Sequence, residues 1–448
     1  MTHSDLRGLS VSGANQAALE SFEQALSEFQ CYIGNPFAAV DRAITAAPDF
    51  VMAHCFKAYL NIAATEAAAL ADARAALAAA KRCKANERER LHIAAIECFV
   101  AGEFDRAVGR LDDVLVAYPR DALALQLGHQ FDFFRGDARN LRDRVARVMH
   151  AWTPADAGYH ALLGMLAFGL EECGDYARAE ATGREAVSLN MRDGWAWHAV
   201  AHVMEMQGRR EEGIAWLGGH GQPWAKDSFF AVHNWWHLAL YHLDLDQTPR
   251  TLEIYDGPVR GGRSKIALEM IDASAMLWRL KLRGVDVGDR WSELAESWAA
   301  MVDDGWYAFN DVHAMMAFVG TGRWDLADRQ LATMVRSLER DGSNQAMTGE
   351  VGLPVSRAIY AFGRGDYGAA VDLLRPIRSI AGRFGGSHAQ RDLLDLTLLE
   401  AASRGRRFEL LQGLAHERDF VRPNDRQAKR YRSAAAEALS RLRSSAAA

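Results

Sequence analysis

The sequence predicts an all-α fold built as a linear array of helical hairpins. Three observations predict it. A helix–turn–helix pattern recurs with glycines in the turn: Gly102 and Gly136 are 34 residues apart, and so are Gly174 and Gly208. Alanine is abundant and there are only 10 prolines in 448 residues, a composition that favours helix. Apolar residues make up 49% of the chain and charged residues 25%, enough to bury a long continuous core. A 34-residue period with two helices per unit is the tetratricopeptide signature. Stacking such units gives a solenoid, a superhelix whose concave face is lined mainly by the first helix of each unit, helix A.

The elements follow in order. Residues 1–14 read as an N-terminal extension, and the array then runs over 15–440 in about nine units. "VAGEFDRAVGRL" carries Gly102, "FFRGDARNLRDRV" Gly136, "EECGDYARAEATGREAVSLN" Gly174 and "EMQGRREEGIAWL" Gly208. A tight turn between antiparallel helices needs a positive φ, which glycine adopts without steric cost. In the next unit Asp246 occupies that slot. The least regular stretch is 250–300, where "YDGPVRGGRSK" (255–265) reads as a long loop and Gly284 is the next turn glycine. "VGTGRWDLADRQL", "FGRGDYGAAVDLL" and "ASRGRRFELLQGL" place the last turns at Gly322, Gly365 and Gly405, with a second long loop at 341–354. Residues 422–445 read as a charged amphipathic helix, and 441–448 as a frayed tail.

Several classes are disfavoured. A net charge of -6 argues against nucleic-acid or anionic-membrane binding over the surface. The five cysteines are scattered, odd in number and without a CxxC pair, which reads as reduced thiols. The N-terminus has no signal-peptide pattern and no apolar run approaches membrane-spanning length. The expected location is cytoplasmic, with the oligomeric state open.

With the turn glycine at position 15 of each unit, the helical period places positions 2, 5, 9 and 12 of helix A on the concave face. In the Gly208 unit these are Trp195, His198, His202 and Glu205. In the Asp246 unit they are His233, Trp236 and Leu240, with His237 beside the stripe. The later units add Trp278, and Phe309, Val312 and Met316 with His313 beside them. Seven of the 15 histidines and six of the 12 tryptophans fall within 160–242, so the units at about 160–325 are expected to form a His- and Trp-lined groove.

Five readings of that groove compete. Trp197, Trp235 and many of the rings can be interhelix packing, with His242 expected to bond a backbone carbonyl. A ligand site is the leading functional reading: an aromatic-walled concavity with convergent polar groups suits a small molecule or short peptide. The spacings His198/His202 and His233/His237 are i, i+4 pairs that let imidazoles reach one divalent metal ion. No cofactor is required by the sequence. A catalytic reading assigns general acid–base chemistry to His202, Glu205 and His237, with His202–Glu205 as the dyad. Repeats of this kind also serve as adaptors for partner proteins. Peptide-carboxylate adaptors, however, display Lys, Arg and Asn in the groove where this chain has His and Trp. Ser387 in "GGSHAQRD" reads as a helix N-cap.

The segments "WHAVAHVMEMQGR", "HNWWHLALYHL", "FNDVHAMMAFVGTGR" and "GGSHAQRDLLDLTLLEAA", together with the Gly174 segment, resemble the tetratricopeptide repeat protein 38 family over roughly residues 15–425. The resemblance implies the same all-helical repeat architecture and no particular reaction. It directs attention to His198, His202, Glu205, His233, Asn234, His237, His313, His388, Gln390 and Arg391, which lie in its motifs. His388 and Arg391, at the start of the last full unit, are expected to curl over the central groove.

Overall fold

The computed structural model of the chain describes residues 3–219 and 222–446. The backbone divides into two compact units, the first comprising Met1–Val203, Gly219–Asn234 and Arg340–Gln345, the second Met204–Gly218, Trp235–Glu339 and Ala346–Ala448. Within each, helices pair into consecutive antiparallel hairpins, the tetratricopeptide-like solenoid architecture.

The first unit opens with a short hairpin, β1 (His3–Ser4) and β2 (Ser10–Val11). The paired helices follow: α1 (Gln16–Cys31) with α2 (Pro36–Ala46), α3 (Val51–Ala63) with α4 (Leu70–Arg82), α5 (Glu87–Val100) with α6 (Phe104–Ala117), α7 (Ala122–Phe134) with α8 (Ala138–Val148), and α9 (Tyr159–Glu172) with α10 (Tyr176–Leu189). Next come α11 (Gly194–Met206), α12 (Arg210–Gly218) and α13 (Ala231–Asp244), and the boundary between units falls inside α11 and α13. The second unit continues with α14 (Thr248–Ile254), α15 (Ala267–Leu282), α16 (Arg290–Ala299), α17 (Ala308–Thr321) and α18 (Trp324–Ser337). It closes with α19 (Ser343–Met347), which begins in the first unit, then α20 (Leu353–Gly363), α21 (Tyr367–Leu374), α22 (His388–Arg404), α23 (Phe408–Val421) and α24 (Arg426–Ala446). No described helix is long and apolar enough to cross a membrane.

One hydrogen bond recurs at the turns and fixes the repeat. The residue after the left-handed position donates its N–H five residues back: Glu103 to Cys98 (2.9 Å), Asp137 to Asp132 (2.8 Å), Asp175 to Leu170 (2.9 Å), and in the second unit Arg323 to Phe318 (2.9 Å) and Asp366 to Ala361 (2.9 Å). This is the Schellman closure, and it needs φ > 0 at the residue between. Gly102, Gly136, Gly174, Gly322 and Gly365 supply it, and Asp246 supplies it at φ 60°. The last turn departs from expectation. Gly405 sits at φ -78° and Arg406 takes the left-handed position at φ 57°, with Arg407 donating to Ala402.

Two of the first helices, α9 and α17, are buried on every side. In α9 every residue from Ala161 to Glu172 is buried, and in α17 every residue from Ala308 to Val319. The second helices α6, α8 and α18 are amphipathic, burying one stripe each. Close approach is built in at Gly169, where an added Cβ would stand 2.4 Å from the Arg142 backbone nitrogen on α8.

Of the two expected loops, 341–354 is largely helical and 255–265 only in part, since 260–265 remains turn and coil. Residues 255–259 form a π-helical turn continuing α14, and Arg260 ties the following segment down through Glu293 (2.8 Å) and Ser297 (2.9 Å). Residues 343–352 form α19 and a second π turn, Thr348–Gly352, which runs directly into α20. Gly352 lets that turn seat against α17, since an added Cβ would meet Ala308 Cβ at 2.9 Å. Glycine and serine content suggested loops; burial of Met347, Val351 and Gly352 overrides it. The charged C-terminal helix forms as α24 and stays helical to Ala446; residues 447 and 448 lie outside the described residues.

Candidate functional site

In the first unit the helical period does bring Trp195, His198 and His202 to one face of α11, but that face is covered. Trp195 is 7% exposed, His198 1% and His202 0%. Trp195 stacks on Tyr32 at 5.6 Å and meets Phe168 at 4.8 Å. His198 lies against Phe168, Trp195 and Phe230 and edge-on to His202 at 4.3 Å. From α13, His233 reaches in so that its Nε2 stands 3.1 Å from Nε2 of His198. One ring nitrogen from each of His198, His202 and His233 lies within 4.8 Å of the others. Asn234 is buried and donates to the Gly194 carbonyl (3.1 Å), a link between α13 and the start of α11.

The two members of the expected His202–Glu205 dyad belong to different units, and each faces a partner within its own. His202 Nδ1 faces Glu171 Oε2 at 3.4 Å, both side chains fully buried in the first unit. Glu205 belongs to the second unit, where its Oε2 stands 3.1 Å from His237 Nδ1. Glu205 and His202 share a helix but interhelix partners decide where each side chain points.

In the second unit His237 and Glu205 begin a chain of buried charge. Arg422 lies 3.8 Å from Glu205 Oε1 and 3.5 Å from Asp392. Arg418 binds Asp392 through its two terminal guanidinium nitrogens (2.5 and 3.0 Å) and Asp425 through Nε at 2.9 Å. Burial by itself would raise the Asp392 carboxyl, but the Arg418 and Arg422 charges outweigh it and hold it well below the usual carboxylate range. Arg279 on α15 is buried, lies 5.2 Å over the Trp236 ring, and donates to the Ala389 carbonyl (2.6 Å). Desolvation lowers its affinity for its proton, against the pull of Asp392 and Glu205. Arg279 thus ties α13 to the first turn of α22.

That first turn of α22 borders a cavity of about 230 Å³. His388, Arg391, Asp392 and Asp395 face it from α22, Arg378 from the preceding 3₁₀ segment and Arg422 from beyond α23, with Met206, Leu374, Ile377 and Leu394 supplying apolar wall. Ser387 caps α22 in a capping box with Gln390, as expected. Arg391 donates to the Gly386 carbonyl in the turn before it. Arg378 is held by Asp395 (2.8 Å) and Glu417 (2.7 Å), which raise its already high affinity for a proton.

The remaining expected site residues are core. Trp278 is fully buried, its indole N–H bonded to Thr397 Oγ1 at 3.0 Å, and it packs on Trp291 and Phe362. Trp236 is fully buried under Arg279. His313 donates Nδ1–H to the Phe309 carbonyl one turn back (2.7 Å), and burial lowers its pKa to about 4, so it is neutral. His242 bonds the Gln247 side chain at 2.6 Å, where a backbone carbonyl was expected.

The sequence reading missed a network in the first unit. Asp121 caps α7 through Ala124 N–H (2.9 Å), and its Oδ2 accepts from Arg88 (2.6 Å) and faces His92 Nε2 (2.9 Å). His92 Nδ1 meets the Tyr59 hydroxyl at 3.0 Å. A signal was present: Tyr59 and His92 are 33 residues apart, as are Arg88 and Asp121, and His160 and Asp193, which pair at 2.8 Å. Equivalent positions one period apart face each other across neighbouring hairpins.

No family model matches the chain. Among solved structures it is similar to one described as "Crystal structure of APC/C hetero-tetramer Cut9-Hcn1", with 12% identity, a TM-score of 0.39, and 73% of this chain aligned to 59% of that one. The chain therefore spans under two thirds of that chain's length, and a likeness of this size says nothing of what either unit here binds.

Proposed function

We propose that the protein binds a small anionic molecule in the cavity beside α22. The observation that carries this reading is the wall: Arg378, Arg391, Arg422 and His388 against two carboxylates, Asp392 and Asp395, that are themselves engaged in ion pairs. Arginine suits carboxylate and phosphate recognition because its planar fork donates two parallel hydrogen bonds. At about 230 Å³ the cavity is below the roughly 300–1,000 Å³ of drug-sized pockets, so it suits a small metabolite and not an extended peptide. His388 and Arg391 are the two positions that the sequence already set apart from the His- and Trp-rich helices.

The test is a thermal-shift and calorimetric series with inorganic phosphate, glycerol phosphate, acetate and succinate on wild type and Arg391→Ala. The expected result is a saturable rise in melting temperature for one class of anion in the wild type that Arg391→Ala abolishes. Absence of any saturable shift, or a shift that survives in Arg391→Ala, would refute the assignment.

A further inference from the structure

We infer that His198, His202 and His233 form a binding site for one first-row divalent cation of the zinc type. The site lies within the first unit.

The geometry comes first. Nε2 of His198 and Nε2 of His233 stand 3.1 Å apart. With metal–nitrogen bonds of about 2.0–2.1 Å, two ligands of a tetrahedral ion are about 3.3 Å apart, so this pair needs almost no movement. His202, one helical turn after His198, completes a set whose nitrogens all lie within 4.8 Å of one another. Rotation of its ring brings the third nitrogen into range.

The surroundings supply a second argument. His202 Nδ1 points at the Glu171 carboxylate, 3.4 Å away. A carboxylate that takes Nδ1–H fixes the tautomer, orients the ring and leaves Nε2 as the ligating nitrogen, the arrangement around many histidine-bound metals. Glu171 and His202 are both fully buried. Phe168, Trp195 and Phe230 wall the three imidazoles. His233 is the partly exposed member and gives the route from solvent.

The donor set selects the ion. Three neutral imidazoles favour zinc, cobalt, nickel or copper over magnesium or calcium, which prefer oxygen ligands. Three protein ligands leave a coordination position open.

The experiment uses the full-length, untagged protein, freed of metal by dialysis against a chelator. Zinc and cobalt are added separately, bound metal is measured by equilibrium dialysis with elemental analysis, and cobalt is also read by its visible absorption. The same measurements are made on His202→Gln and His233→Gln, with circular dichroism to verify their fold. His233→Gln alters the partly exposed position and is the variant least able to disturb packing. The expected result is one equivalent per chain in the wild type, a cobalt spectrum of low-symmetry four- or five-coordination, and loss of both in each folded variant. Wild-type protein that holds no stoichiometric zinc or cobalt overturns the site, as does undiminished binding in His233→Gln. In either case the three rings are a hydrogen-bonded aromatic stack.

Discussion

Oε2 of Glu205 lies 3.1 Å from Nδ1 of His237, and its other oxygen lies 3.8 Å from Arg422. One carboxylate thereby joins an imidazole on α13 to the arginine and aspartate cluster around α22. Replacing Glu205 by alanine removes the carboxylate facing His237 Nδ1 and one of the two carboxylates beside Arg422 in a buried setting. The expected cost is about 3 kcal/mol, in the range for breaking one partner of a buried ion pair. Urea unfolding followed by tryptophan fluorescence measures it, and a variant as stable as wild type would show the pair to be idle.

Asp121 carries a comparable load in the first unit. Burial favours its neutral form, yet His92 and Arg88 outweigh burial and hold the carboxyl well below its ordinary 3.8. A depressed folded-state value means that its contribution is full above that ordinary value and is lost as pH falls below it. Asp121→Asn should therefore destabilise strongly at pH 7, by about 3–5 kcal/mol. The difference from wild type should shrink as the pH is taken below 3.8. Parallel denaturation curves at neutral and acid pH check both halves.

A second acid-sensitive group titrates in a different window. His129 is buried, bonds the Met165 carbonyl at 3.0 Å, and has its pKa lowered by desolvation to about 3 from 6.5. Between those values the unfolded chain binds a proton that the folded chain refuses, so stability is lost as pH falls from 6.5 toward 3. From pH 6.5 to 5 this group alone should remove on the order of 2 kcal/mol. His129→Gln, which cannot titrate, should flatten the slope of stability against pH in that window; an unchanged slope would assign it to other groups.

The turns give a paired backbone prediction. Gly174 has φ +82° and open space around its missing Cβ, so Gly174→Ala probes the backbone alone and should cost about 1 kcal/mol. Arg406 holds the same left-handed conformation at φ 57° with a side chain attached. Arg406→Gly should gain up to about 1 kcal/mol as the strain is relieved, less the extra entropy of the unfolded glycine. Opposite shifts in the urea midpoint are expected.

The repeat was legible because a left-handed turn residue is nearly always glycine, and glycine is visible in a sequence. Arg406 was not legible for the same reason: nothing in "SRGRRF" says that the arginine takes the strained position while Gly405 does not. The histidine stripe was legible from the 3.6-residue period, which places His198 and His202 on one face whatever that face meets. What it meets was hidden. Glu205 and Glu171 are equally plausible partners for His202 by composition, and only interhelix packing gives Glu171 to His202 and Glu205 to His237. The cavity was hidden: His388 and Arg391 stand out in the sequence, but as expected neighbours of the central groove, and Arg378 and Arg422 come from segments whose charge reads as ordinary surface. The Asp121 network shows what a period-based search would add, since its members recur at 33 residues.

The two π-helical turns, Tyr255–Val259 and Thr348–Gly352, bear on how this chain tolerates changes in length. A π turn closes its hydrogen bond over one residue more than an α turn does. Each therefore marks a place where a single residue can be gained or lost while the helix heals around it. The same deletion in the middle of α15 would rotate every later side chain on that helix by about 100°, turning core positions outward. Point deletions within 255–259 or 348–352 should survive selection for a folded protein where deletions a dozen residues away do not.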